Sequence, residues 1–328
     1  MASLAPNTRG ALFALAAFGL FSTHDVIVKV LGADYAPFQI VFFSVLFSFP
    51  LVTMMQMRDA RMDNLRPRHP WWSALRTLAA VATAISAFYT FSVLPLAEAY
   101  ALIFASPLLI TVLAIPILGE TVRWRRGLAV MVGLSGVLIV LRPGTTDFTL
   151  GHAAGLVCAF AGALASVIVR KIGRDERTVV LLLYPMVTNF VLMACVLPFI
   201  YVPMPLMDMA GTGAMALMAL LASMLLFAAY RIGDAAVVAP MHYSQIIWAT
   251  GYGLLFFSES PDVWTIVGTA VIVGSGVYIV LRENKGDASD NQPVLGSKSR
   301  PETQTLPRVS ALIEARRKAL ARSSRGEE

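Results

Sequence analysis

The sequence predicts an all-α integral membrane protein, with ten transmembrane helices arranged as two inverted five-helix repeats. Three observations predict it. The 328 residues are 57% hydrophobic and only 14% charged, with a mean hydropathy of +0.70, whereas a soluble domain carries about 25% charged residues. The apolar residues gather into ten runs of roughly the length that crosses a bilayer, about 20 residues of helix. A segment near the middle of the chain recurs near its end.

The runs, in order, are 11–31, 37–57, 73–93, 97–118, 127–142, 152–171, 178–200, 212–230, 235–257 and 263–281. Each is predicted to be a helix, because a lone strand in lipid leaves its backbone groups unpaired. The first run has signal-peptide character, but no cleavage site follows it, so it is read as an uncleaved helix. The net charge of +6 does not mark a nucleic-acid partner, because the basic residues sit in short gaps between apolar runs. Arg58, Arg61, Arg66 and Arg68 follow the second run, and Arg123, Arg125 and Arg126 follow the fourth. Arg170, Lys171, Arg174 and Arg177 follow the sixth, and Arg231 the eighth. The alternate loops hold only Arg142. Positive loops stay cytoplasmic, so both termini are placed in the cytoplasm of a cell whose inner membrane holds the chain. Cys158 and Cys195 lie in apolar runs, and no disulfide is expected.

The repeat sets the topology. GETVRWRRGLAVMVGLSGVLIVLRPG (119–144) and SESPDVWTIVGTAVIVGSGVYIVLREN (from 258) share an acidic residue, a Trp, a glycine-bearing helix and a closing hydrophobic run ending in Arg. Glu120 and Glu259 are 139 residues apart, and Arg142 and Arg282 are 140 apart. The unit has five helices, an odd number, so its second copy enters the membrane upside down. The expected domains are a cytoplasmic segment 1–10, repeat 1 at 11–142, repeat 2 at 151–282, and a polar, basic tail at 283–328. The end of that tail has the spacing of a short helix for the anionic inner leaflet. Inverted repeats are characteristic of secondary transporters.

The run AEAY…ASPL…PILGE (97–120) and the closing G-x-x-I-V-L-R-P-G pattern at 136–144 resemble the EamA type of the drug/metabolite transporter superfamily, over residues 10–282. The pattern HDVIVK…APFQIVFFSVLFSFP…RPRHPWW (24–72), with APMHYSQIIWA, is similar to the bacterial riboflavin importers of that family. The resemblance implies secondary-active transport of a small organic metabolite, with riboflavin uptake leading. Export of amino acids or other metabolites is the alternative on the same fold.

An ionisable group at membrane depth costs roughly 2.5–3.5 kcal/mol, so such groups mark a cavity or a partner. The first helix holds His24, Asp25 and Lys29. Asp25 and Lys29 are four apart and share a face, so they can pair, either as a substrate-facing or proton-coupling pair or with Lys29 snorkelling to the outer interface and Asp25 neutralising it. A proton is the candidate coupling ion, and His24 is read either as its carrier or as an interhelical hydrogen-bond partner. Glu98 is expected at the exposed outer interface, Arg76 is expected to snorkel, and Arg142 is expected to meet lipid headgroups. Pro107 and Pro240 interrupt the fourth and ninth runs, although Pro107 maps onto Ile246 rather than Pro240 under the 139-residue offset. His242, Tyr243, Gln245 and Trp248 lie mid-span, deeper than the belt where aromatic residues anchor helices. Lipid would reject that face, so it is expected to point inward. There it would meet Tyr100, Phe104 and Ser106 of the fourth helix and Tyr89 of the third. Aromatic walls with few charges suit a flat, mostly neutral solute that stacks on rings and is oriented by Gln, Ser, Tyr and His; plain interhelical hydrogen bonding is the other reading of these groups.

No phosphate-binding G-x-x-x-x-G-K-[ST], no Cys/His metal spacing and no G-x-S-x-G elbow occurs. No cofactor is expected. The expected partners are a small solute and membrane lipid, not nucleic acid. An intramembrane enzyme would have only Asp25 with His24 to work with, and adjacent residues on a helix are expected to point apart.

Overall fold

A computed structural model describes residues 6–56, 66–119, 124–142, 148–173, 176 and 178–284. Every regular element among them is helical. Ten segments result: α1 (Pro6–Leu31), α2 (Pro37–Gln56), α3 (Pro70–Val93), α4 (Leu96–Ile103 and Ser106–Leu118), α5 (Trp124–Leu141), α6 (Leu150–Ile172), α7 (Thr178–Ile200), α8 (Leu206–Ile232), α9 and α10 (Val263–Asn284). α9 comprises Ala235–Val238, a 3-10 stretch at Ala239–Ser244, and Gln245–Phe257. Seven helical stretches are long and apolar enough to cross a membrane, and Pro37–Pro50 and Gly127–Leu141 are shorter apolar helices. The C-terminal tail from residue 285, Glu120 and the loop arginines Arg58, Arg61, Arg123, Arg174 and Arg177 lie outside the described residues.

Both expected proline interruptions are present, and they correct the register expected from the prolines themselves. Pro107 lacks an N–H, and its ring clashes with the carbonyl four residues back; the first half of α4 accordingly stops at Ile103. Pro240 sits inside the tighter 3-10 stretch. The prolines are not equivalent, but the breaks are. The second segments begin at Ser106 and Gln245, end at Leu118 and Phe257, and are capped by Gly119 and Ser258, each pair 139 residues apart. Both caps are left-handed, with φ of 71° at Gly119 and 54° at Ser258. Glycine adopts that region without strain; an L residue pays about 1 kcal/mol. Ser258→Gly is therefore expected to raise thermal stability in detergent by about 1 kcal/mol, and a melting temperature at or below that of wild type would argue against it.

The ten segments pack across the two halves in a reciprocal pattern. α1 lies on α8, as α3 lies on α6. Gly10 meets Gly233 and Gly211 meets Ile27, so α1 and α8 run antiparallel. Gly151 meets Val93, and Lys171 lies over Trp72, so α3 and α6 do the same. The helices that correspond between halves also touch, head to tail. Phe42 and Phe49 of α2 meet Phe190 of α7. Arg142 at the end of α5 meets Asp262 at the start of α10. Leu96 and Tyr100 of α4 meet Glu259 and Gln245 at opposite ends of the second half of α9. The core fills this central seam, with Tyr100, Phe91, Phe104, Leu102 and Ile272 fully buried.

Candidate functional site

The breaks in α4 and α9 face α1 at the centre of the bundle. Five polar residues close on one another there: Ser22, His24, Asp25, Tyr100 and Gln245, each exposed by 1% or less. The Asp25 carboxylate accepts from His24 Nδ1 at 2.8 Å and, through its other oxygen, from the Tyr100 hydroxyl. Tyr100 oxygen is 3.3 Å from Ser22 Oγ and accepts from Gln245 Nε2 at 3.3 Å. Aromatic rings wall the cluster. Phe88 stands edge-on to His24, and Phe91 and Phe104 lie against Tyr100. Phe104 also contacts His242 and Tyr243, while His242 reaches Phe18 on α1.

Two polar atoms in this cluster have no hydrogen-bond partner among the described residues: His24 Nε2 and Gln245 Oε1. Leaving a buried polar atom unmade costs about 1–3 kcal/mol, so such atoms call for an explanation, and binding is one.

Several expected site residues take other places. Lys29 does not choose Asp25 as its ion partner. It pairs with Glu259 at 2.7 Å and donates to the Leu94 carbonyl at 2.5 Å. Its four-carbon stem reaches the loops beyond the helix, and desolvated Asp25 is already bonded by His24 and Tyr100. His24 and Asp25 do not point apart, because the ring bends back to its neighbour's carboxylate. Ser106 donates to the Ala159 carbonyl on α6 at 3.2 Å, a packing contact. Tyr89 is half-buried on α3. Trp248 is 39% exposed and lies flat beside Gly19 and Tyr252, and Tyr252 is bonded to Thr23 at 3.0 Å. Glu98 is not a free interfacial carboxylate: it meets His152 at 2.8 Å, and the His152 Nδ1 side is held by Thr149. Arg142 pairs with Asp262 at 2.5 Å instead of facing lipid headgroups alone. Arg76 donates to the Leu181 carbonyl.

The sequence does not mark Ser22, Glu259 or His152 as polar partners; Glu259 stands out in it only as a repeat marker. These pairs share one end of the bundle. Lys29–Glu259, Glu98–His152, Arg142–Asp262 and Tyr35–Asp208 each join the first half to the second. The hydrogen bond to Asp208 is the main cause that pushes the Tyr35 phenol up to about 12. Gln39 adds a two-way bond to the Val202 backbone. At the opposite end, Asn7 and Asp234 bond reciprocally, and Glu176 accepts from the backbone of Arg68 and His69. A groove of about 430 Å³ lies behind α9, lined by Ala97, Ile246, Thr250 and Thr269. It is separate from the central cluster.

The model of the EamA-like transporter family matches this chain twice, at residues 8–142 and 149–282. The chain belongs to the EamA-like transporter family. An S-adenosylmethionine uptake transporter of Rickettsia prowazekii is 27% identical over 277 residues, covering 83% of this chain and 92% of that protein. A pseudopaline exporter of Pseudomonas aeruginosa is 28% identical, covering 80% and 93%. A riboflavin transporter of Vibrio cholerae is 28% identical over 229 residues, covering 68% and 76%. A solved crystal structure shares the fold at a TM-score of 0.58 and 18% identity, covering 84% of this chain and 97% of its own. The family and the many apolar helices fit a multi-pass membrane protein that moves a small molecule, and these EamA relatives are named as transporters.

Proposed function

We propose that this EamA-family chain is a secondary-active carrier, working by alternating access, for a small metabolite that combines a heteroaromatic ring with a polar arm. The observation that carries the reading is the buried cluster of Ser22, His24, Asp25, Tyr100 and Gln245 where α4 and α9 break. Broken helices at matched positions of two halves hold the substrate sites of many transporters. The antiparallel contact of corresponding helices supports an inverted repeat, and the odd helix number requires one if each helix crosses the membrane. Repeat 1 then occupies 11–142 and repeat 2 occupies 151–282, with both termini on the cytoplasmic side of the inner membrane. The lining is α1, α4 and α9, with α3 behind it.

Riboflavin uptake is the finer reading from the sequence, and the aromatic walls support it. The Asp25 carboxylate favours a solute with a positive charge or N–H groups, which is the chemistry of S-adenosylmethionine, the solute named for relatives that align over more of this chain. Uptake of labelled riboflavin and labelled S-adenosylmethionine, side by side in cells with and without the chain, decides between them. Accumulation of neither, with the chain present in the membrane, would defeat both.

The cross-half ties at the Lys29 end support a state closed there. Lys29–Glu259 joins the most elements, the end of α1, the α3–α4 loop and the α9–α10 loop. Hydrogen bonds to charged groups are worth about 1.5–3 kcal/mol, and each 1.4 kcal/mol shifts an equilibrium about tenfold. Glu259→Gln is expected to slow uptake and to speed modification of a cysteine placed at Ser22 by an impermeant maleimide, in a chain without Cys158 and Cys195. Unchanged labelling would show that this pair does not hold that end shut.

A further inference from the structure

The donors and acceptors of the central cluster can be counted, and the count constrains what it binds. As an ionised carboxylate, the form in which both oxygens can take the contacts seen, Asp25 only accepts. It therefore takes the Nδ1 proton of His24 and the single hydroxyl proton of Tyr100. Tyr100 has no proton left, so Ser22 must donate to it, and so must the amide nitrogen of Gln245. That assignment fixes the direction of the Gln245 amide. Its Oε1 is left over as an acceptor, in a side chain with no exposed surface. With the imidazole neutral and its proton on Nδ1 toward Asp25, His24 is left with the lone pair of Nε2. Both vacant positions are acceptors, beside a carboxylate.

We infer that the site selects solutes by their N–H groups: an amine, an ammonium or the N–H edge of a heterocycle fills Gln245 Oε1 and His24 Nε2, and a solute offering only acceptors there is rejected. The inference rests on the carrier reading and deepens it. An acceptor-only solute leaves both buried atoms unpaired, a far larger penalty than the loss of an apolar contact. A carboxylate or phosphate headgroup would also face Asp25 directly, so acidic headgroups are excluded from this end of the solute. The ring walls of Phe88, Phe91 and Phe104 supply affinity without regard to donors, so the amide and imidazole supply the choice.

The test is binding to the purified full chain in nanodiscs, with two pairs of probes that differ in one donor. Adenosine is compared with purine riboside, which lacks the amino group. Riboflavin is compared with 3-methylriboflavin, which lacks the ring N–H. The expected result is that the donor-bearing member of at least one pair binds at least about tenfold more tightly, and that Gln245→Leu reduces this ratio to near unity. Gln245→Met, an unbranched chain like glutamine, repeats the measurement if Gln245→Leu does not fold. Equal binding within both pairs overturns the inference, as does binding of no probe, or a preference that survives loss of Gln245. Uptake by cells is measured separately. Uptake without donor preference removes this inference and leaves the carrier standing, whereas absence of all uptake removes the carrier itself.

Discussion

Asp25→Asn is expected to cut uptake of the carried solute about tenfold to a hundredfold, with the protein still reaching the membrane. The change keeps shape and removes charge. In the wild type both carboxylate oxygens accept, one from His24 Nδ1 at 2.8 Å and one from the Tyr100 hydroxyl. An amide accepts at one position only, so its NH2 must confront one of those donors. If the NH2 faces His24, the imidazole can answer by accepting on Nδ1 and carrying its proton on Nε2. That converts one of the two vacant acceptors into a donor. If the NH2 faces Tyr100, the hydroxyl must turn its proton toward Gln245 or Ser22, and the amide of Gln245 loses its fixed direction. Either way the solute meets a different pattern. Hydrogen bonds to a charged group are worth about 1.5–3 kcal/mol, which at about 1.4 kcal/mol per decade gives the range stated. Uptake is measured per molecule of protein in the membrane. An Asp25→Asn chain that carries solute as fast as wild type would show that the cluster is only a packing device.

The fold was legible because lipid leaves few options. Ten apolar runs and one recurring segment fix helix number and duplication, and Gly136, Arg142 and Glu259 fall at meaningful places. The breaks at Phe104 and Ala239–Ser244 were legible as interruptions but not in register. A proline marks which carbonyls it disturbs, not where the chain recovers, and the two halves recover at the same point from different prolines. The site was legible as a set of residue types and not as a set of partners. Asp25 and Lys29 share a helix face, yet an i, i+4 pair is worth only about 0.2–0.5 kcal/mol, less than the tertiary bonds that compete for each. Tyr100 sits 75 residues from Asp25, and Glu259 lies 230 from Lys29. No local spacing records such separations. Trp248 and Gln245 looked alike as misfits in a lipid span, but only Gln245 turns fully into the seam, while Trp248 keeps 39% of its surface exposed.

Gly136→Leu is expected to do the most damage to folding. α5 and α10 are corresponding helices of the two halves, and they approach through backbone rather than side chains. A Cβ at Gly136 would stand 2.8 Å from the Gly268 carbonyl oxygen and 3.1 Å from the Ile272 nitrogen. A Cβ at Gly268 would stand 2.7 Å from the Gly136 carbonyl oxygen, so the contact is reciprocal. Backbone atoms cannot rotate aside as a side-chain tip can. In lipid, where water gives no hydrophobic drive between helices, such close approach of small residues supplies much of the association. Overpacking a well-filled core costs typically about 1–3 kcal/mol, and here the helices must also separate, which strips contact along the pair and pulls on the Arg142–Asp262 bridge at its end. The expected result is a lower yield of monodisperse protein in detergent and a melting temperature several degrees down. Gly136→Ala is expected to fall between, since its single methyl already meets the carbonyl. The same large residue at Gly274, where an added Cβ meets nothing within 4 Å, is expected to be tolerated. A Gly136→Leu chain as stable as the Gly274→Leu control would mean that the two halves are not joined through this glycine contact.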